Sequence, residues 1–336
     1  MDREGEPGSR RDAAGACGAA GDLPGSTPAR GRKPAWLKVR PVGGDDYHDV
    51  KRLLRRARLH TICEKGACPN RGECFSNRTA TFLILGPVCT RACAFCHVDA
   101  GRPVALDAGE PRRLAEAVAE LKLRFAVVTS VTRDDLPDGG AAHFAATIEA
   151  LRQRAPGCGV EVLVPDFQGE PAAIARVLAA APDVFAHNLE TVPRLYAAVR
   201  PQADYHRSLR VLRQARAWAG ASSQRRVKTG VMVGLGETRD EVLAVMQDCA
   251  AAGLDIFTLG QYLQPSPAHH PVARWWSPDE FSDLARAGRA LGLKWVEAGP
   301  LVRSSYHAGA QAAGLAEAEA RHGGARAAPG AGEDGA

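Results

Sequence analysis

Six of the chain's nine cysteines fall between residues 63 and 96, in two groups of three. Cys89, Cys93 and Cys96 are spaced C-x3-C-x2-C within "GPVCTRACAFCHVDAGRP". Cys63, Cys68 and Cys74 are spaced C-x4-C-x5-C within "CEKGACPNRGEC". A tetrahedral metal or a cubic cluster offers four positions, so each triplet leaves one open. Three thiolates at C-x3-C-x2-C can hold three irons of a [4Fe–4S] cluster and leave the fourth to an outside ligand. Catalytic zinc keeps a vacant position by the same logic. Phe95, just before the last cysteine, is placed to shield such a cluster. Zinc completed by His97 is the rival reading, but zinc sites usually pair C-x2-C knuckles. For the first triplet the plain reading is a structural zinc or iron–sulfur staple, with its fourth ligand from elsewhere. Cys158 and Cys249 stand alone and read as packing residues, and Cys17 has no evident role.

The 336 residues are 45% hydrophobic and 24% charged, with net charge +5. That suits one large domain or two medium ones and carries no nucleic-acid signature. No apolar run is long enough for a membrane span. The N-terminal stretch lacks the apolar core of a secretory signal, and Asp2, Glu4 and Glu6 argue against an organellar transit peptide. Clustered cysteines without an export signal favour metal ligation in a reducing, cytoplasmic setting over disulfides. Residues 1–33 and 321–336 read as disordered tails rich in Gly, Ala and charge. "KRLLRRAR" (51–58) reads as a solvated helix face whose buried stripe is Val50, Leu53 and Leu54. The sharper alternative is a docking surface for an acidic partner.

Elements must bring these cysteines together. From residue 79 a short apolar run, a turn and a helical stretch recur. The runs are 79–86, 125–130, 160–166, 183–188, 227–234 and 255–263, rich in Val, Ile, Leu and Phe as buried parallel strands are. Helical stretches lie near 111–124, 141–154, 169–181, 206–219, 237–252 and 278–291. In 238–253, Val242, Leu243, Val245 and Met246 face one way and Gly253 ends the helix. No G-x-G-x-x-G follows the first run, so a complete or partial barrel is favoured over a doubly wound nucleotide fold. The expected fold is a partial (β/α)6 barrel over 79–291. An N-terminal extension (34–78) and a C-terminal one (292–320) flank it. Unusual residues sit at strand ends: Cys89–Cys96, Thr129–Asp135, Asn188–Glu190, Gly234–Glu237 and Gln261–Gln264.

The C-x3-C-x2-C signature after the first strand of such a chain resembles the radical S-adenosylmethionine (SAM) enzymes. The two triplets together, in this order and spacing, resemble the lipoyl synthases. So do "VVTSVTRDDLPDGGAAHF" (127–144), "HNLETVPRLYAAVRP" (187–201), "KTGVMVGLGET" (228–238), "GQYLQPSPAHHPVARW" (260–275) and "GPLVRSSYHA" (299–308). The resemblance covers roughly residues 35–315. Phe75 stands where Trp is commoner, and Arg78 and His97 replace smaller residues.

The resemblance implies two [4Fe–4S] clusters and SAM as cofactors. Cys89, Cys93 and Cys96 would hold the cluster that SAM completes. Cys63, Cys68 and Cys74 would hold an auxiliary cluster, closed by a serine of Arg303-Ser304-Ser305-Tyr306. Ser305 is the expected ligand and Ser304 the fallback. A serine oxygen is a harder iron ligand than thiolate, which suits a cluster meant to be dismantled. The implied reaction inserts sulfur at C6 and C8 of an octanoyl chain linked to a carrier lysine. Each insertion consumes one SAM, and the auxiliary cluster gives up its sulfur. Implied partners are a 2-oxoacid dehydrogenase E2 lipoyl domain or a glycine-cleavage H protein, reduced ferredoxin or flavodoxin, and an iron–sulfur carrier for rebuilding. No nucleic acid or membrane is implied.

Expected SAM contacts are Thr129, Ser130, Asn188, Glu190 and Arg200, the last toward the SAM carboxylate. Gly234 and Gly236 would let the backbone approach adenine. The plain alternatives are a surface ion pair for Glu190 and Arg200, and a turn and helix cap for Asp134, Asp135 and Asp138. His269 and His270 read as loop residues. The rivals for function are methylthiolation, biotin-type sulfur insertion, or an iron–sulfur carrier without catalysis. The first two place extra cysteines differently, and a carrier needs no such long strand–helix repeat.

Overall fold

Short Val-, Ile- and Phe-rich runs become strands here because both faces of the sheet are covered. The computed structural model describes residues 33–39, 43–220 and 225–324. Seven parallel strands run through it: β1 (Thr81–Ile84), β2 (Phe125–Ser130), β3 (Gly159–Leu163), β4 (Val184–Ala186), β5 (Arg226–Val233), β6 (Ile256–Gln261) and β7 (Trp295–Gly299). The order is sequential and linear, so the sheet is open, a partial barrel. A two-residue strand, His60–Thr61, pairs antiparallel with β1 at the edge.

Helices follow the strands: α2 (Glu110–Leu121), α3 (Ala141–Arg154), α4 (Pro171–Ala179), α5 (Tyr205–Ala219), α6 (Arg239–Ala251) and α7 (Pro278–Ala290), with α1 (Asp45–Arg56) before them and α8 (Ala308–Gly324) after. In α6 a capping box joins Thr238 and Glu241 and starts the helix. Its buried stripe is Val242, Val245, Met246 and Cys249, while Leu243 is half-buried. Cys158 also lies in the core. α1 buries Tyr47, Val50, Leu53 and Leu54. Of its basic residues, Arg56 pairs with Glu120 at 2.6 Å and Arg52 with Asp49.

Two features differ from the sequence reading. The C-terminal extension supplies a seventh strand, β7, paired with β6. Its run "WVEAG" carries Glu297 and buries only Val296 well, so no apolar run marks it. α8 also extends through the boundary set at residue 320. Cys17 and residues 1–32 and 325–336 lie outside the described residues, and with them the tails expected there. Among the described residues no helix is long and apolar enough to cross a membrane.

Candidate active site

The loop after β1 carries Cys89, Cys93 and Cys96, and neighbouring strand-end loops hold it in place. Thr90 N donates to Thr132 O at 3.0 Å, Ala94 N to Val199 O at 2.9 Å, and Ala92 N to the Gln202 side chain at 2.8 Å. Thr132 N donates to Cys89 Sγ at 3.2 Å. Burial pushes the Cys96 thiol up to about 12, and the Cys93 and Cys89 sulfurs add to it. Burial also raises Cys93, against the pull of Arg200. The three thiols feel one another, so they converge. With their thiols raised, Cys93 and Cys96 must release protons to bind iron.

Arg91, inside the cysteine loop, is a residue the sequence reading missed. Its guanidinium spans two carboxylates, Asp134 at 2.6 and 2.8 Å and Asp166 at 2.7 and 3.0 Å. Arg207 adds a third bond, to Asp166 at 2.8 Å. Burial pushes the Asp166 carboxyl up, but the bonds and charge of Arg91 win and hold it well below the ordinary range. The acidic run is therefore divided. Asp134 braces the cysteine loop, Asp135 pairs with Arg133, and Asp138 accepts from Gly140 N and Ala142 N at the start of α3. Arg91→Gln should lower unfolding free energy by about 3 kcal/mol, since fully buried Asp166 keeps only one ion-pair partner, Arg207, beside the Gln168 N–H. Urea unfolding of the metal-free protein measures this, and a loss under about 1 kcal/mol contradicts it.

His269 and His270 also brace this loop. His269 Nε2 lies 3.1 Å from Cys96 O, and His270 N donates to Ala94 O at 2.8 Å. By sequence both are plain loop residues. Their contacts join segments far apart in sequence, so spacing could not reveal them.

The expected SAM residues gather at the same mouth, with different duties. Ser130 Oγ, Asn188 Oδ1 and Arg200 Nε are buried without any protein partner. An orphaned buried polar atom costs about 1–3 kcal/mol, so three together fit a polar ligand that satisfies them. Arg200 is aimed by bonds to Asn188 O at 3.0 Å and Leu189 O at 3.1 Å. Glu190 adopts left-handed backbone at φ 65°, a costly conformation for a side-chain residue. Two bonds fix it there: Glu190 N to Gly230 O at 2.9 Å, and Met232 N to Glu190 O at 2.8 Å. Burial raises its carboxyl, against the pull of Arg200. Glu190 and Arg200 make no ion-pair contact, and both are half-buried in the mouth, so the surface-pair reading does not describe them.

Two expectations shift. The Thr129 hydroxyl donates to Leu163 O at 3.0 Å, so it serves the sheet while Ser130 stays unspent. Gly234 sits at φ 99°, and a Cβ there would stand 2.1 Å from Gln261 Nε2. Packing against Gln261 thus already requires glycine at 234. Gly236 has open space, with Ala273 Cβ at 3.9 Å from the added carbon.

His187 lies beneath this network. Its Nδ1 donates to Val164 O at 2.8 Å, while Nε2 has no partner. Burial, then Arg200, pushes its pKa down from 6.5 to about 4. The unfolded chain therefore takes up the proton first. His187's contribution to stability is intact above pH 6.5 and is lost as pH falls toward about 4. Between pH 7 and 4.5, His187→Gln should remove about 2–3 kcal/mol of the acid loss. Urea titrations at the two pH values check this.

The first triplet lies at the other end of the sheet. Cys63, Cys68 and Cys74 line a cavity of about 870 Å3 with Ser305 and Arg303. Ala80, Thr81, Arg124 and Phe125, where β1 and β2 begin, line it too. The segment of the first triplet still meets the loop of the second, through His97 Nδ1 to Lys65 O at 3.0 Å and Lys65 Nζ to Asp99 at 3.3 Å. Burial pushes the Cys63 thiol up to about 12, with Cys68 and Cys74 adding, and Cys74 up to about 11, with Cys68 and Glu73 adding. The C-terminal segment is tied here by Asn70 Nδ2 to Leu301 O at 2.7 Å and by Tyr306 OH to Glu73 at 3.2 Å. A Cβ at Gly260 would fall 2.0 Å from Val302 O, so glycine lets this segment lie against β6.

Within that segment the two serines separate. Ser305 lines the thiol cavity, whereas Ser304 Oγ accepts from Asn188 Nδ2 at 2.6 Å. Among the described residues no three His, Cys, Asp or Glu side chains close on a single metal ion. A cubic cluster spreads its thiolates over separate iron corners, so both triplets suit a cluster better than one zinc.

The radical SAM superfamily model matches residues 83–249. Curated lipoyl synthases are similar over most of the chain. That of Rubrobacter xylanophilus is 55% identical over 281 residues, 83% of this chain and 87% of the relative. That of Koribacter versatilis is 54% identical over 280 residues, 83% of this chain and 91% of the relative. That of Methylococcus capsulatus is 55% identical over 283 residues, 84% and 87%. Among solved structures, Streptococcus suis SuiB bound to S-adenosylmethionine aligns with TM-score 0.50 at 10% identity, over 69% of this chain and 55% of that one, a likeness of fold.

Proposed function

The chain belongs to the lipoyl synthase family of the radical SAM superfamily, and on that premise we propose that it inserts two sulfur atoms, at C6 and C8, into a protein-bound octanoyl chain. One observation carries the reading: two separate three-thiol sites sit on one partial barrel, and Cys63, Cys68 and Cys74 share their cavity with Ser305. When bound, an open-cornered cluster with SAM supplies a hydrogen-abstracting radical, and a second cluster supplies sulfide. Radical chemistry is required because unactivated C–H bonds have no acidic proton for a general base.

The chain's own residues bind and orient. Cys89, Cys93 and Cys96 hold the first cluster, braced by Arg91 and His269. Arg200 offers its orphaned Nε to the SAM carboxylate. Ser130, Asn188 and Glu190 take the amino and ribose groups. Cys63, Cys68 and Cys74 with Ser305 hold the second cluster. The substrate, which accepts the sulfur, is an octanoyl-lysine on a carrier, either a dehydrogenase lipoyl domain or a glycine-cleavage H protein. Electrons come from reduced ferredoxin or flavodoxin, and an iron–sulfur carrier rebuilds the spent cluster. The setting is a reducing cytoplasm.

The test is reconstituted protein with SAM, a strong reductant and an octanoylated carrier. 5′-Deoxyadenosine should form, and the carrier should gain the mass of two sulfur atoms. If no 5′-deoxyadenosine forms, the enzyme reading fails. If it forms without sulfur gain, the substrate is wrong.

A further inference from the structure

The cavity beside the first triplet, about 870 Å3, is much larger than a cubic cluster needs and lies in the range of ligand pockets, roughly 300–1,000 Å3. Its far wall is apolar and small: Ala308, Ala310, Ala312 and Ala313 of α8 face Leu123 and Phe125. Along this wall the trough suits an unbranched alkyl chain. Its rim carries cations. Lys122 and Arg124 line the cavity and are exposed. Lys122 also shares an adjoining depression with Arg154, likewise exposed.

Nearby acids are spent elsewhere. Glu120 pairs with Arg56, Asp183 with Arg152, and Glu73, the one carboxylate lining the cavity, accepts from Tyr306. The rim is thus positive around an apolar opening.

We infer that the octanoylated carrier docks on this face, its acidic surface on Lys122, Arg124 and Arg154, and threads its acyl chain along the α8 wall past the first triplet. This rests on the proposed function and adds the entry face and the chemistry of the partner. An iron–sulfur donor could use the same cations, but it has no use for the apolar wall.

The experiment compares two substrates on the reconstituted full-length protein. One is an octanoylated carrier domain with acidic residues around its lysine. The other is a short neutral peptide bearing octanoyl-lysine. Lys122→Glu/Arg124→Glu/Arg154→Glu should raise the ratio of carrier KM to peptide KM about tenfold and flatten the salt dependence of carrier turnover. The glutamine triple, a gentler variant should the first fold poorly, should shift it the same way by less. Arg210→Glu/Arg213→Glu, exposed on α5 and not among the cavity's lining residues, is the charge-reversal control and should leave the ratio alone. Sulfur gain with both substrates and an unchanged ratio overturns the docking face while the proposed function stands. So does an unchanged ratio with slower cluster reloading, which gives the rim to a cluster donor. Sulfur gain with neither substrate in the unsubstituted protein overturns the function itself.

Discussion

Replacing Cys63, Cys68 and Cys74 together with alanine is expected to leave 5′-deoxyadenosine formation running while lipoyl formation falls at least about 1,000-fold. The expectation follows from placement. The cavity of the first triplet is lined from the starts of β1 and β2, and the Cys89–Cys96 loop is held by Thr132, Val199 and Gln202; the contacts joining the two segments run from Lys65 to His97 and Asp99, which alanine at the cysteines leaves in place. Removing the first set should leave the braces by Arg91, Gln202 and His269 intact. Bound iron should fall from about eight to about four per chain, one cubic cluster. The reciprocal triple substitution at Cys89, Cys93 and Cys96 should abolish both products. Lipoyl formation that survives loss of the first triplet would sink the second cluster as sulfur source.

The second large effect separates two neighbouring serines. Ser305→Ala should cut sulfur insertion about 100-fold or more, and Ser304→Ala should not. Ser305 shares the thiol cavity, so under the proposed assignment its loss removes a cluster ligand. Ser304 instead accepts a hydrogen bond from Asn188, whose Oδ1 is already unpartnered. Its loss should act at the SAM end, as a weaker KM for SAM with sulfur transfer preserved. The pair is read by product mass, SAM kinetics and the spectroscopic signature of the second cluster. If Ser304→Ala abolishes insertion and Ser305→Ala does not, the ligand assignment is reversed.

Much of the site was legible because its parts are local. Cysteine spacing within a dozen residues is a statement about one loop. The six strand–helix units show in apolar runs and helical periods, signals that act over a turn or two. β7 escaped because Glu297 interrupts its run. Arg91, His269 and His270 escaped because each acts on a partner distant in sequence. The Thr129 and Gly234 expectations were right about position at a strand end, but packing with Leu163 and Gln261 set what each does.

The amino-acid sequence alone therefore determined the thiol inventory, its division into two incomplete sets and the parallel strand–helix order, since these depend on residues close in the chain. Only the tertiary structure decided that the first set lines a cavity at the starts of β1 and β2, which serine shares it, and which polar atoms at the proposed SAM mouth stay unspent. Those depend on how strand ends, the Val302–Ser305 segment and α8 pack across the open barrel. Long-range packing fixes such distances, and no local pattern encodes them.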